Sequence, residues 1–177
     1  MHDVGCTMGG FFYNDKVQGK LILVTELCTM KEFKTLSIDN LVIYDYSVHK
    51  IKAIYDSTRV YIDLQPIEPA SADIEITTTP EKLSFIPLGL SVLEDFAFKN
   101  FTDKKEDITY THPELKKIWV VQRKEYFTCF IGPNHLTIKF LHELQNLIMK
   151  YEEKDVLNYV TDMIGLNRLM FAKAKNE

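Results

Sequence analysis

The chain has few cysteines and no long apolar run. Its three cysteines, Cys6, Cys28 and Cys129, are odd in number and far apart, which fits neither a disulfide framework nor a four-ligand metal site. No apolar run approaches about 18 residues, and the N-terminus lacks the basic and apolar stretches of a secretory signal. We therefore expect reduced thiols in the cytosol or nucleus and no membrane contact.

Catalytic motifs are missing as well. The sequence contains no Gly-rich phosphate loop, no HExxH, no CxxC and no GxSxG. His135 and His142 are seven residues apart and could share a helical face that holds a metal, although two surface histidines are the simpler interpretation. We expect a protein without enzymatic activity, cofactor or metal.

The composition predicts one folded domain with a protein partner. The chain has 177 residues, of which 46% are hydrophobic, and this is enough to bury a core. Its net charge is -4, so nothing attracts the whole chain to nucleic acid or to an anionic membrane. Any such binding must come from a local patch.

Three apolar runs follow one another closely at 41–46, 50–55 and 60–64. The first is rich in β-branched and aromatic residues, and the other two alternate apolar with polar side chains, as strands do. The short segments 47–49 and 56–59 carry turn-forming residues between them. This pattern predicts a three-stranded antiparallel meander.

The second half of the chain changes from strands to helix. Residues 118–122 and 126–131 favour a hairpin, after an exposed loop at 101–113, whereas 83–98 fits a buried strand followed by a helical turn without deciding it. From 136 to 151 the apolar side chains recur at helical spacing, with Asn134 or Thr137 as the cap. Asp155 is the predicted cap of a second helix.

Tyrosines and cations of the meander suggest a surface for single-stranded nucleic acid. Bases stack on aromatic rings while cations meet phosphates. The alternative is that these rings cover the core and expose only their hydroxyls. Alternation also places Tyr55 with Ile51 and Ala53, opposite Lys50 and Lys52. The candidate nucleic-acid residues are Tyr44, Tyr46, Lys50, Lys52, Arg59 and Tyr61.

The apolar side of the predicted helix has two interpretations. It can close the chain's own fold, as most amphipathic helices do, or pair with a helix of a partner protein. The candidate partner-binding residues are Phe140, Leu144, Leu147, Ile148 and Tyr151.

The sequence resembles the small single-OB-fold subunits of replication protein A and of the CST telomere-capping complex. The likeness rests on Leu41-Val42-Ile43-Tyr44-Asp45, the basic second strand, the run from Tyr61 to Pro69 and the C-terminal amphipathic helix. It implies a mostly β α+β fold, with a weakly ordered lead-in at 1–18, a small OB-like β-barrel at 19–133 and a helical segment at 134–177. The segment 80–113 and the second helix are additions to that pattern.

The resemblance also implies a function. It indicates a non-enzymatic nuclear subunit that binds a larger OB-fold protein through the C-terminal helix and helps to hold single-stranded DNA at chromosome ends or replication sites. The alternative is a protein-only α+β adaptor without a nucleic-acid role.

Overall fold

Strands are the main regular elements of the structure, a computed structural model that describes residues 33–56, 58–67, 74–102, 108–124 and 126–159. The predicted lead-in at 1–18 lies outside these ranges. So does most of the predicted second helix.

The first sheet contains the predicted meander and one more strand. Its strands are β1 (Leu41–Tyr44), β2 (Ser47–Tyr55), β3 (Tyr61–Pro66) and β4 (Ile76–Thr78). They pair in chain order, each antiparallel to the next. The first reversal is tighter than predicted, because Asp45 and Tyr46 form a two-residue turn with φ angles of 46° and 59°. This left-handed backbone matches the twist of a hairpin, and the segment predicted as a turn at 47–49 begins β2 instead.

The second sheet is built from the second half of the chain. Its strands are β5 (Lys99–Asn100), β6 (Thr109–Thr111), β7 (Ile118–Gln122), β8 (Phe127–Ile131) and β9 (Asn134–Ile138). They too pair antiparallel in chain order, and the predicted hairpin of β7 and β8 is confirmed. Strand β9 corrects the prediction that a helix begins at Leu136. Gly132, at φ 55°, and Pro133 turn the chain directly back along β8, so Leu136 and Ile138 belong to a strand.

The strand pairing gives a mostly β α+β fold. The described strands form two open sheets, and no ladder between them closes the barrel predicted for 19–133. Outside the ladders, two isolated bridges occur, from Ile43 to Ser84 and from Pro87 to Phe140. Residues 83–88 therefore run between the first sheet and the start of the last helix.

The described residues also form the helices α1 (Leu90–Asp95) and α2 (Leu141–Glu152). The start of α2 is stabilised from within, because the Glu143 carboxylate accepts the backbone N–H groups of Lys139 and Phe140 at 2.7 and 3.0 Å. The predicted caps, Asn134 and Thr137, lie in β9. Asp155 does cap a turn, since its carboxylate accepts the N–H of Leu157 at 2.9 Å, and a short 3-10 helix follows at Val156–Tyr159.

Side chains from both sheets and both helices form the main core. A smaller core lies on the other face of the first sheet, where Val42, Ile51, Ile62 and Leu64 meet Phe85. Alternation along β1 explains this division, because Leu41 and Ile43 enter the main core and Val42 enters the smaller one. The fully buried members of the main core are Leu41, Leu93, Phe96, Val120, Cys129, Leu141, Leu144 and Ile148.

A polar contact joins α2 to the outer edge of β1. The side-chain amide of Gln145 accepts the N–H of Leu41 at 2.9 Å and donates to the Asp39 carbonyl at 3.3 Å. The next residue, Asn146, accepts from the Asn40 side chain and donates to the Thr35 carbonyl. The bond from the Leu41 N–H to Gln145 is buried and so shielded from water, whereas the bond from Asn146 to Thr35 is exposed.

The variant Gln145→Leu should lower the free energy of unfolding by about 1–3 kcal/mol, because it leaves the buried Leu41 N–H without an acceptor. The matched control is Gln122→Leu, since the side-chain oxygen of Gln122 accepts no hydrogen bond from the described residues. Urea unfolding of both variants gives the comparison. Equal losses would show that the bond to Leu41 contributes nothing specific.

Acidification should destabilise the fold through His49. Burial lowers the pKa of His49, against opposing effects of the Ser47 carbonyl and of Asp45. The unfolded chain therefore takes up a proton more readily than the folded one, and stability is lost as the pH falls from about 7 through about 6.5 and below. His49→Gln should flatten this dependence in urea titrations. An unchanged slope in His49→Gln would contradict the assignment.

Candidate functional site

The structure scatters the six predicted nucleic-acid residues of the first sheet. Tyr44 packs against the smaller core, with its ring edge-on to His49 at 5.7 Å. Tyr46 occupies the β1–β2 turn, and Arg59 precedes β3. Lys50 pairs with Asp39 at 2.7 Å. These residues do not form one basic and aromatic face.

A β-bulge in β2 changes which side chains share a face. The register shifts between Ile51 and Ala53, so Lys52 is the extra residue. Ala53 then pairs with Asp63, and Tyr55 pairs with Tyr61. Cross-strand partners lie on the same face, so Tyr55 lies on the face of Lys50, and its predicted alignment with Ile51 is wrong. Two exposed tyrosines, Tyr55 and Tyr61, thus lie beside the carboxylate of Asp63.

The predicted partner-binding residues of α2 face the chain's own core. Leu144 and Ile148 are 0% exposed. Leu147 and Tyr151 are half-buried against the same core, and Phe140 precedes the helix with its ring 5.0 Å from that of Phe85. In this fold Leu144 and Ile148 are inaccessible to a partner, because packing against both sheets already uses the apolar side of the helix.

The double variant Leu144→Asp with Ile148→Asp should unfold the chain. Truncation of a buried leucine or isoleucine costs about 2–5 kcal/mol, and burial of a carboxylate adds to this, against a typical total stability of about 5–15 kcal/mol. Met149→Asp, on the exposed side of α2, should leave the fold intact. Circular dichroism and urea unfolding measure both. A folded double variant would show that the apolar side of α2 is available to a partner after all.

An aromatic row crosses the second sheet on the face turned away from the main core. It runs through all five strands, because consecutive cross-strand partners are Lys99, Thr111, Trp119, Phe130 and His135. The neighbours of Trp119 along β7, Ile118 and Val120, are buried in the main core. Because successive side chains of a strand point to opposite faces, the row of Trp119 points away from that core.

The rings at the centre of this row are stacked. Trp119 and Phe130 lie 5.6 Å apart between ring centroids, with an angle of 2° between their planes. His135 continues the row at 5.7 Å from Phe130. Trp119 and Phe130 are half-buried, whereas Val121 and Thr128 in the next row are buried. Accessible aromatic surface on this face therefore belongs to the stacked pair.

The charged side chains described at the margins of this face are lysines, and one histidine accompanies them. Lys99 and His135, at the two ends of the row, are exposed, and Lys139 follows β9 at an exposed position. The remaining described strand positions of the face hold threonine, valine and the two aromatic rings, with no acidic side chain among them. Hydroxyls, stacked rings and cations thus lie together.

Sequence reasoning predicted the hairpin of β7 and β8 but not this row. A signal was available, since the only tryptophan of the chain stands between Ile118 and Val120 in a short apolar run that was predicted to be a strand. The missing information was the register, which depends on the unrecognised strand β9 and on the turn at Gly132.

Chemistry at metals or thiols finds no support in the described ranges. No three His, Cys, Asp or Glu side chains there are grouped so as to hold a metal ion. His135 lies on β9 and His142 is buried in α2, so the predicted shared helical face does not exist. Burial raises the pKa of Cys129 to about 12, which keeps this thiol protonated at neutral pH. Within the same ranges no helix has the length and hydrophobicity to cross a membrane.

No protein-family model, curated protein or solved structure matches the chain. The function must therefore be argued from the residues themselves.

Proposed function

We propose that this chain binds single-stranded nucleic acid on the outer face of its second sheet, as a non-enzymatic subunit of a larger assembly. The stacked pair of Trp119 and Phe130, in a row that ends in exposed Lys99 and His135, carries the proposal. Rings give stacking platforms that tolerate any base, and cations at the margins meet phosphates. Exposed Thr137 and half-buried Thr111 supply hydroxyls for sugar and phosphate oxygens.

The setting of this activity remains a prediction from the resemblance to small OB-fold subunits. That resemblance favours a nuclear protein at chromosome ends or replication sites, an OB-type barrel and a larger OB-fold partner. The proposed activity needs only the accessible part of the outer face of the second sheet, around Trp119 and Phe130, so it does not depend on barrel closure. A partner would contact α2 on its exposed side, where Ile38 and Met149, 58% and 45% exposed, border a groove of about 180 Å³.

A protein-only adaptor is the second candidate. Strand β9 ends the second sheet, and no described strand pairs with its far side. Its inward-facing Leu136 is 48% exposed. An edge of this kind can take up an extended peptide by strand addition.

Emission of Trp119 tests the proposal directly, because the chain has no other tryptophan. Titration with an oligothymidylate of about 12 nucleotides should quench the emission. Binding should weaken with salt, at a slope of roughly -1.4 in the logarithmic plot if two phosphates are neutralised. Emission that does not respond even at low salt would refute the proposal and favour the adaptor.

Substitutions identify the face that binds. Trp119→Ala and Phe130→Ala should each weaken binding of a labelled oligonucleotide by about 1–3 kcal/mol, measured by fluorescence anisotropy. Tyr55→Ala, an exposed ring on the first sheet, is the matched control and should leave binding unchanged. Trp119→Phe keeps a stacking ring and should retain most of the affinity. Equal losses in Trp119→Ala and Tyr55→Ala would place the contact elsewhere.

A further inference from the structure

The first sheet exposes a second aromatic face, whose central polar group is acidic. Tyr55 and Tyr61 are cross-strand partners on β2 and β3, and they are 52% and 39% exposed. The adjacent row on the same face contains Ala53, Asp63 and Thr77. Two accessible rings therefore lie beside one carboxylate.

Hydroxyl groups from both neighbouring strands hold the Asp63 carboxylate in place. The Thr77 hydroxyl on β4 donates to its Oδ1 at 2.6 Å. The Tyr55 hydroxyl on β2 is also hydrogen-bonded to Asp63, and this bond, together with the charge of the carboxylate, raises the pKa of the tyrosine. No described cation lies within ion-pair distance of Asp63. The group is thus oriented for a cation that the described part of the chain does not supply.

The nearby charges leave this carboxylate exposed to an external cation. Glu75 lies close enough to Tyr55 to raise the pKa of its hydroxyl further. Lys50, on the same face, pairs with Asp39 at 2.7 Å. The positive charge of Arg59 helps to lower the pKa of Glu81, which follows β4 in the chain. Lys52, the exposed bulge residue, is the remaining cation of β2.

We infer that this face binds an arginine side chain from a basic segment of a partner protein. A carboxylate has about four lone-pair sites, and the two hydroxyls leave room for the paired N–H groups of a guanidinium. The flat guanidinium can also stack on a tyrosine ring, where an ammonium group contributes only a point charge. Negative charge beside the rings favours a basic peptide and repels nucleic acid, so Tyr61 serves a protein contact.

A titration by nuclear magnetic resonance tests this inference on the full chain. The probe is an acetylated and amidated glycine-serine peptide with two arginines. The comparison peptides have the same sequence with lysine or with uncharged citrulline in place of arginine. The arginine peptide should shift the backbone amides of Tyr55, Tyr61, Asp63 and Thr77. The lysine peptide should bind several-fold more weakly, and the citrulline peptide should produce no saturable shift.

Asp63→Asn keeps the shape of the site and removes its charge, so it should weaken the arginine peptide by about tenfold. Asp45→Asn, in the exposed β1–β2 turn, is the matched control and should leave the affinity unchanged. Equal binding of all three peptides, shifts located elsewhere or full affinity in Asp63→Asn would overturn the inference. Because Asp63→Asn leaves the Trp119 face intact, oligonucleotide binding should persist in it, and the two proposals can fail separately.

Discussion

The contact between the polar side of α2 and the edge of β1 determines how the rest of the molecule is arranged. Gln145 accepts the Leu41 N–H, and on the same edge Ile43 exchanges two backbone bonds of 2.9 Å with Ser84. The first sheet therefore has no open edge at β1. Leu144 and Ile148 lie one position before and three positions after Gln145 on the helix. The contact that holds Gln145 against β1 therefore also keeps these two side chains in the main core. Helix α2 is thus held in the fold by both its polar and its apolar side. Its apolar side cannot bind a partner at the same time.

The two sheets offer surfaces of opposite character, although the net charge of -4 shows neither. On the second sheet, stacked rings lie between Lys99 and His135 without an acidic neighbour on the strand positions described. On the first sheet, the exposed rings of Tyr55 and Tyr61 lie beside the Asp63 carboxylate. A negative polymer and a positive peptide would thus be attracted to different faces, and one would not compete with the other. This division suits a subunit that holds nucleic acid on one side and a protein on the other.

The sequence predicted strands more reliably than faces. The meander, the hairpin of β7 and β8 and the terminal helix follow from local periodicity, so they could be found without the structure. Strand β9 could not, because Leu136 and Ile138 also fit the helical spacing that continues through Leu144. Only pairing with β8 decides between the two periods, and that is a tertiary effect. The aromatic row was missed with it, since its last member, His135, belongs to β9.

The bulge at Lys52 shows how one residue determines the ligand chemistry of a sheet. Ile51 and Ile54 are three residues apart, so a regular strand would turn them to opposite faces, yet both pack against the smaller core. The extra residue between them satisfies both positions, because it reverses the alternation of everything that follows. Tyr55 consequently lies not on the face of the smaller core but on the face of Asp63. Packing of both isoleucines against the smaller core thus places the exposed pair of rings beside a carboxylate. The surface that was predicted to bind nucleic acid is therefore suited to a cation.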